Sequence, residues 1–308
     1  MPTIILTGSL AYDHVMKFDG SFADLILPDQ LDKLSVCFLI NEKETHFGGC
    51  AGNIAYNLSL LEENPAIIGV VGNDFEKYTE WLTKNNLKTS EIITIPTKET
   101  ACATIISDKN GNQITGFYPG ASSENPEIYL ENYKNEEAMV IISPDNKNRM
   151  MHFVNECQRL SLPYIFDPGQ QLPVFEKNEL ITAINNAYGI ILNEYEFHLL
   201  KKNSGLHEND ILKEVQLLII TLGQEGSKIH TPEKTFDIPI YPPKSILDPT
   251  GCGDAYRAGI LMGLKNHYSP EKSGRIASLS ATYCIEHIGT QNHKFTKKEF
   301  EERLGLSL

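Results

Sequence analysis

The 308-residue chain sets 27 lysines and arginines against 40 aspartates and glutamates, a formal charge of −13, and 41% of its residues are hydrophobic. The apolar share supports a sizeable core. The acidic balance argues against a surface that tracks nucleic acid, which needs clustered Lys and Arg, although a small anionic substrate can still bind where positive potential is local.

The six cysteines, Cys37, Cys50, Cys102, Cys157, Cys252 and Cys284, form no C-x-x-C pair. Neither a zinc site nor a disulfide framework is expected, and a reducing cytoplasm fits best. The first residues lack the basic start and long apolar run of a signal peptide. No apolar stretch approaches the ~20 residues of a membrane span. The whole chain, 1–308, is read as one unit, without repeats, low-complexity segments or an evident linker.

Residues 4–6 predict a short apolar strand ending at Thr7-Gly8-Ser9, with Asp13 beyond it. Ligands of open α/β sheets sit past the carboxyl ends of strands, so Asp13 is placed either to accept from substrate hydroxyls or to serve a turn. Residues 36–40 predict a strand, and a second extended piece runs to Phe47. Gly48-Gly49 then precedes a helix over 52–62. The glycines at 48, 49 and 52 miss the G-x-G-x-x-G spacing, which argues against a dinucleotide site. Asn53 reads as a helix-start polar residue or a ligand contact.

A strand over 66–71 and a helix over 78–85 follow. Residues 100–107 and 113–118 predict two strands joined through Asn110-Gly111. No helices separate these pieces, which predicts a small sheet distinct from the rest. Phe117 at its end suits either stacking on a purine or apolar packing.

From Ala138 the pattern alternates: strands at 140–143, 164–167, 190–193 and 216–221, with helices at 147–160, 176–186 and 195–202. That is a parallel sheet with crossover helices. Gln170 and Gln171 follow one strand end, and a glutamine amide can pair with a purine edge. Asn193 and Glu196 close another strand, where by themselves they read as helix-capping groups. Thr221 to Gly226 is a further glycine turn after a strand. No G-x-x-x-x-G-K-[ST] exists, so phosphates are not held by a Walker loop.

The most informative stretch is 245–264, SILDPTGCGDAYRAGILMGL. Pro249 keeps Asp248 out of the helical region, and Thr250 is placed as an N-cap. Gly251, Cys252 and Gly253 then open a small-residue helix. Bare backbone at a helix start, with unpaired N–H groups and the dipole behind them, makes an anion site. Asp254 in the first turn is either a dipole-favoured acid or a base that takes a proton from an attacking hydroxyl. Helices over 270–287 and 297–304 complete the chain.

The run from Asp248 to Tyr256 resembles the second signature of the ribokinase-like (PfkB) kinases. Residues 47–55, FGGCAGNIA, with 69–75, resemble the first. Within that family the chain is most similar to bacterial adenosine kinases of the actinobacterial type, sharing Thr7-Gly8-Ser9 with Asp13, residues 117–121, Asp167-Pro168 with Gln170-Gln171, and Gly289-Thr290-Gln291. The resemblance runs nearly end to end. It implies a ribokinase-like α/β core with a mostly parallel sheet, and a small β lid built from segments near 11–18, 32–47 and 99–118.

It also implies ATP-dependent phosphorylation of a nucleoside 5′-hydroxyl, adenosine first. Asp254 would be the base, with the Gly251, Cys252 and Gly253 backbone as the anion hole. Ser9, Asp13, Gly49 and Asn53 would hold the sugar; Phe117, Gln170 and Gln171 would hold the base. Asn193, Thr221, Gly223 and Gly226 would serve ATP, and Glu196 would serve Mg²⁺. A potassium ion near Asp248 and Thr250, and a homodimer through the lid, are further implications. Ala103 stands where the resembling enzymes place an aromatic of the partner subunit. The alternatives are a ribose or fructose kinase of the same fold and a non-catalytic nucleotide-binding regulator.

Overall fold

The computed structural model describes residues 3–134 and 136–308. The chain opens with β1 (Thr3–Thr7), β2 (Ala11–Lys17) and β3 (Glu42–Gly48), then α1 (Cys50–Leu60), β4 (Ala66–Val71), α2 (Glu76–Lys84) and β5 (Ile92–Thr94). A hairpin of β6 (Ala101–Ser107) and β7 (Gln113–Tyr118) follows. The alternating part comprises β8 (Ala138–Ile142), α3 (Lys147–Leu160), β9 (Tyr164–Phe166), α4 (Lys177–Ile184), β10 (Gly189–Asn193), α5 (Glu194–Ser204), α6 (Glu208–Glu214) and β11 (Leu217–Thr221). Strands β12 (Ser227–His230) and β13 (Thr235–Ile238) precede three helices, α7 (Cys252–Lys265), α8 (Pro270–Ile285) and α9 (Lys297–Leu304).

Among the described residues these strands form two sheets. The large one runs β13-β12-β11-β10-β9-β8-β1-β4-β5, parallel except where β12 and β13 join antiparallel at one edge. The small one runs β3-β2-β6-β7. Period-two alternation splits each central strand between two cores. Ile4, Leu6, Ile141, Ile191 and Ile219 face the layer holding α1, α2, α7, α8 and α9. Ile5, Val140, Ile142, Ile190 and Leu218 face the layer holding α3, α4, α5 and α6. This is the three-layer α/β core with a separate small sheet that the alternation predicts.

One expected strand is absent. Residues 36–40 have no regular structure; Phe38 instead packs its ring against Phe18 and Phe22, with centroids 5.1 and 5.0 Å away. Aromatic contact, rather than a ladder, satisfies that apolar run. No helix among the described residues is long and apolar enough to cross a membrane.

Candidate active site

The carboxyl ends of β9, β10 and β11 and the start of α7 surround a cleft of about 370 Å³. Asp254, Gly251 and Gly253 from the start of α7 line it, as do Asn193, Glu196 and Gly223 from the strand ends. Gln170 and Thr221 are also among the lining residues. Residues up to 84 apart in the sequence therefore meet because four elements end at one edge of the sheet, as ligand sites of open α/β sheets do.

The start of α7 differs from expectation in one respect. Gly251, not Thr250, is the N-cap; it adopts φ 79° and supplies no side-chain cap. Asp248 makes the turn: its Oδ1 accepts from Thr250 N at 2.9 Å and its Oδ2 from Gly289 N at 2.9 Å. A Cβ on Gly251 would stand 2.9 Å from two carbons of Thr290, so this position needs glycine for space as well as for φ. With no hydroxyl folded back over the helix start, the N–H groups of Gly251, Gly253 and Asp254 find no acceptor among the described residues, whereas Cys252, expected among them, donates its N–H to the Pro249 carbonyl at 3.3 Å. They open onto the cleft, as an anion site requires.

Asp254 is half-buried at that opening. Burial pushes its carboxyl up to about 6; the nearby Arg257 charge and the Asn53 amide pull the other way, and Asp167 adds to the rise. Asn53 Nδ2 donates to Asp254 Oδ2 at 2.8 Å. Behind it runs a buried chain from α1 to α2. Gln291 Nε2 donates to Asn53 Oδ1 at 3.0 Å and to Tyr78 Oη at 2.6 Å. Trp81 Nε1 donates to Gln291 Oε1 at 2.9 Å, and Tyr78 Oη donates to the Gly48 carbonyl at 2.9 Å. An indole N–H only donates, so it turns the Gln291 oxygen toward itself. That fixes the Gln291 nitrogen toward Asn53, and hence the Asn53 nitrogen toward Asp254. Sequence reasoning missed Trp81 and Tyr78, which have no local signal.

The other expected residues separate into three places. Ser9 accepts from Cys50 N through its Oγ at 3.1 Å, bracing the start of α1. Gly49, at φ 84°, passes so close to the Ser9 carbonyl that a Cβ would lie 2.5 Å from it. Asp13 lies on the small sheet, where Gly48 leaves room for its carboxylate; burial raises that carboxyl to about 6 against the pull of His46.

Strand register then sets a row across the sheet: His46 pairs with Asp13, Asp13 with Ala103, and Ala103 with Phe117. Paired residues share a face, so Asp13, Ala103 and Phe117 line up about 10 Å end to end with a small residue between. Phe117 is 60% exposed on that face.

Asn193 and Glu196 form a reciprocal capping box, each side chain accepting from the other's N–H at 2.8 Å. Burial raises the Glu196 carboxyl. Gln170 and Gln171 share the 3₁₀ turn Gly169–Val174; Gln170 reaches the cleft, whereas Gln171 is not among the cleft residues. Gly226 is not brought in either: at φ 88° it makes the β11–β12 turn, with a Cβ position 2.1 Å from the Ile238 carbonyl.

Comparisons with known proteins agree with this geometry. Residues 12–297 match the pfkB family of carbohydrate kinases. The nucleoside kinase of Methanocaldococcus jannaschii is 32% identical over 99% of this chain and 97% of its own length. The structure of the Burkholderia thailandensis nucleoside kinase in complex with inosine has 34% identity, a TM-score of 0.84 and 99% coverage of both chains. The ribokinase of Lactococcus lactis is 28% identical over 79% of this chain and 81% of its own. Unpaired N–H groups at the start of α7, a carboxylate in its first turn and a match along nearly the whole chain lead to one conclusion: the chain belongs to the PfkB family of carbohydrate kinases and is a phosphotransferase of the ribokinase-like fold.

Proposed function

We propose that this kinase transfers the γ-phosphoryl group of ATP to the 5′-hydroxyl of a purine nucleoside, with adenosine as the preferred acceptor. The observation that carries the nucleoside over a free sugar is the row Asp13, Ala103, Phe117 on one face of the small sheet. A carboxylate for ribose hydroxyls at one end and an exposed ring for a base at the other suit a ligand longer than ribose. The relatives named nucleoside kinase, and the inosine complex of one of them, support the same reading.

In this reading Asp254 removes the hydroxyl proton, and the free N–H groups of Gly251, Gly253 and Asp254 meet the charge of the transferring group. Asn53, Gly49 and Ser9 shape the sugar side, and Gln170 serves the base. Asn193, Thr221 and Gly223 receive ATP. The described residues hold no cluster of three His, Cys, Asp or Glu that could cage a metal. That donor set fits Mg²⁺ carried by ATP phosphates and water, with Glu196 reaching it, since Mg²⁺ keeps several waters and few carboxylates. Potassium beside the braced turn at Asp248 is proposed as well; unchanged turnover when Na⁺ replaces K⁺ would remove it.

The test is Phe117→Ala. Base stacking of ~1–3 kcal/mol predicts a rise in adenosine KM of roughly tenfold or more, with ribose turnover unmoved. An unchanged adenosine KM would overturn the base assignment.

A further inference from the structure

The cleft holds three carboxylates, Asp167, Glu196 and Asp254, and one basic residue, Arg257. A phosphoryl group in transfer spreads negative charge in a cleft of that sign, on a chain of net charge −13, and Arg257 is the one side chain of its lining whose charge can offset the repulsion. Arg257 is 9% exposed and lies on α7 one turn beyond Gly253, three residues from Asp254 and thus on the same helix face.

The three nitrogens of its guanidinium have different surroundings. Nη2 donates to Asp167 Oδ1 at 2.6 Å and Nε donates to Asp167 Oδ2, closing a bidentate pair with a carboxylate that is wholly buried. Nη1 has no partner among the described residues, and it lies 2.8 Å from where a Cβ on Gly253 would stand. Glycine at 253 therefore leaves room for this nitrogen beside an N–H that opens on the cleft. A purely structural ion pair between α7 and the end of β9 would not require a free edge there.

We infer that Arg257 is a catalytic residue whose Nη1 donates to the phosphoryl group during transfer, with Asp167 acting as the clamp that fixes the guanidinium plane. The inference rests on the kinase reading given above. In the step, Asp254 accepts the proton of the acceptor hydroxyl. The acceptor oxygen bonds to the γ-phosphorus as the bond from that phosphorus to the β,γ-bridging oxygen breaks, and ADP leaves with the electron pair. Arg257 keeps its proton throughout, and its charge faces the equatorial oxygens where negative charge is spread. Clamping by Asp167 means no rotamer has to be ordered as the reaction proceeds.

The test compares wild type, Arg257→Lys and the double variant Asp167→Asn/Arg257→Met, with ATP and adenosine, reading kcat, KM for ATP, ADP affinity by calorimetry and melting temperature. The double variant removes both charges, so no lone buried carboxylate is left to unfold the chain. Both variants are expected to lose ~10²-fold or more in kcat, the scale for removing one donor to a transition-state charge. ADP affinity should stay within about threefold, as a contact made in the transition state requires.

Retention of kcat within about threefold in either variant would overturn the inference. So would loss of ADP binding in step with kcat, which would assign the pair to the fold. A wild-type chain that phosphorylates no hydroxyl acceptor overturns the kinase reading and the role of Arg257 together. A wild-type chain that does so, with variants equally active, overturns Arg257 alone.

Discussion

Asp254 carries two opposed demands. To act as a base it must be ionised, yet its surroundings raise its carboxyl from 3.8 to about 6. Activity should therefore climb with pH up to about 6 and level off above it, as kcat/KM measured across pH 4.5 to 8 will report. The stability consequence has the opposite sign. Below pH 3.8 the group is protonated folded and unfolded alike. Between 3.8 and about 6 the unfolded chain loses its proton first, so stability falls as pH rises, and above about 6 the full penalty is present. Asp254→Asn should then lower kcat by ~10²-fold or more while raising the melting temperature, with a larger gain at pH 8 than at pH 4. Near-normal turnover, or a variant less stable at pH 8, would contradict that assignment. Asp254 was legible in the sequence because its glycine turn is local. Arg257 was not singled out, although its spacing from Asp254 could have shown it on the same helix face; an arginine in a helix ordinarily reads as solvated.

At the scale of elements, the buried chain Trp81, Gln291, Asn53, Asp254 ties α2, the loop before α9, α1 and α7 into one unit. Its polarity starts at a group that can only donate. The double variant Trp81→Phe/Tyr78→Phe removes both groups that orient the Gln291 amide, frees it to turn and removes the reason for Asn53 to present its nitrogen to Asp254. A hydrogen bond to a charged group is worth ~1.5–3 kcal/mol, so the acid limb of the pH profile should rise by about one pH unit. An unmoved limb would show that this chain only supports the fold.

Elements with a clear apolar period matched their expected bounds: Ala66–Val71, Gln113–Tyr118, Lys147–Leu160 and Lys297–Leu304. Short ones escaped. β12 (SKIH), β13 (TFDI) and the seven-residue α6 (ENDILKE) have too few apolar positions to show a period, and their ladders or packing come from distant neighbours. The Thr250 cap failed because Asp248, two residues earlier, makes the turn and glycine fills the cap.

At the scale of the molecule, the small sheet stands beside the strand ends with β3 and β7 as its free edges. Every residue of β7 is exposed, Ile114, Phe117 and Tyr118 among them. An exposed apolar edge strand invites pairing. We propose a homodimer through this lid, expected in sedimentation velocity at twice the mass of one chain and reduced toward monomer by Ile114→Lys; a monomer at assay concentration would remove the proposal.

The nucleoside reading makes the most direct demand on the small sheet and the cleft together. Phosphorylation with Mg·ATP should be measured across adenosine, inosine, guanosine, cytidine, ribose and fructose. Highest kcat/KM for adenosine, with AMP as the product and the free sugars far behind, is the result expected. A preference for ribose or fructose would keep the fold, Asp254 and the anion site, and contradict the role given to the row from Asp13 to Phe117.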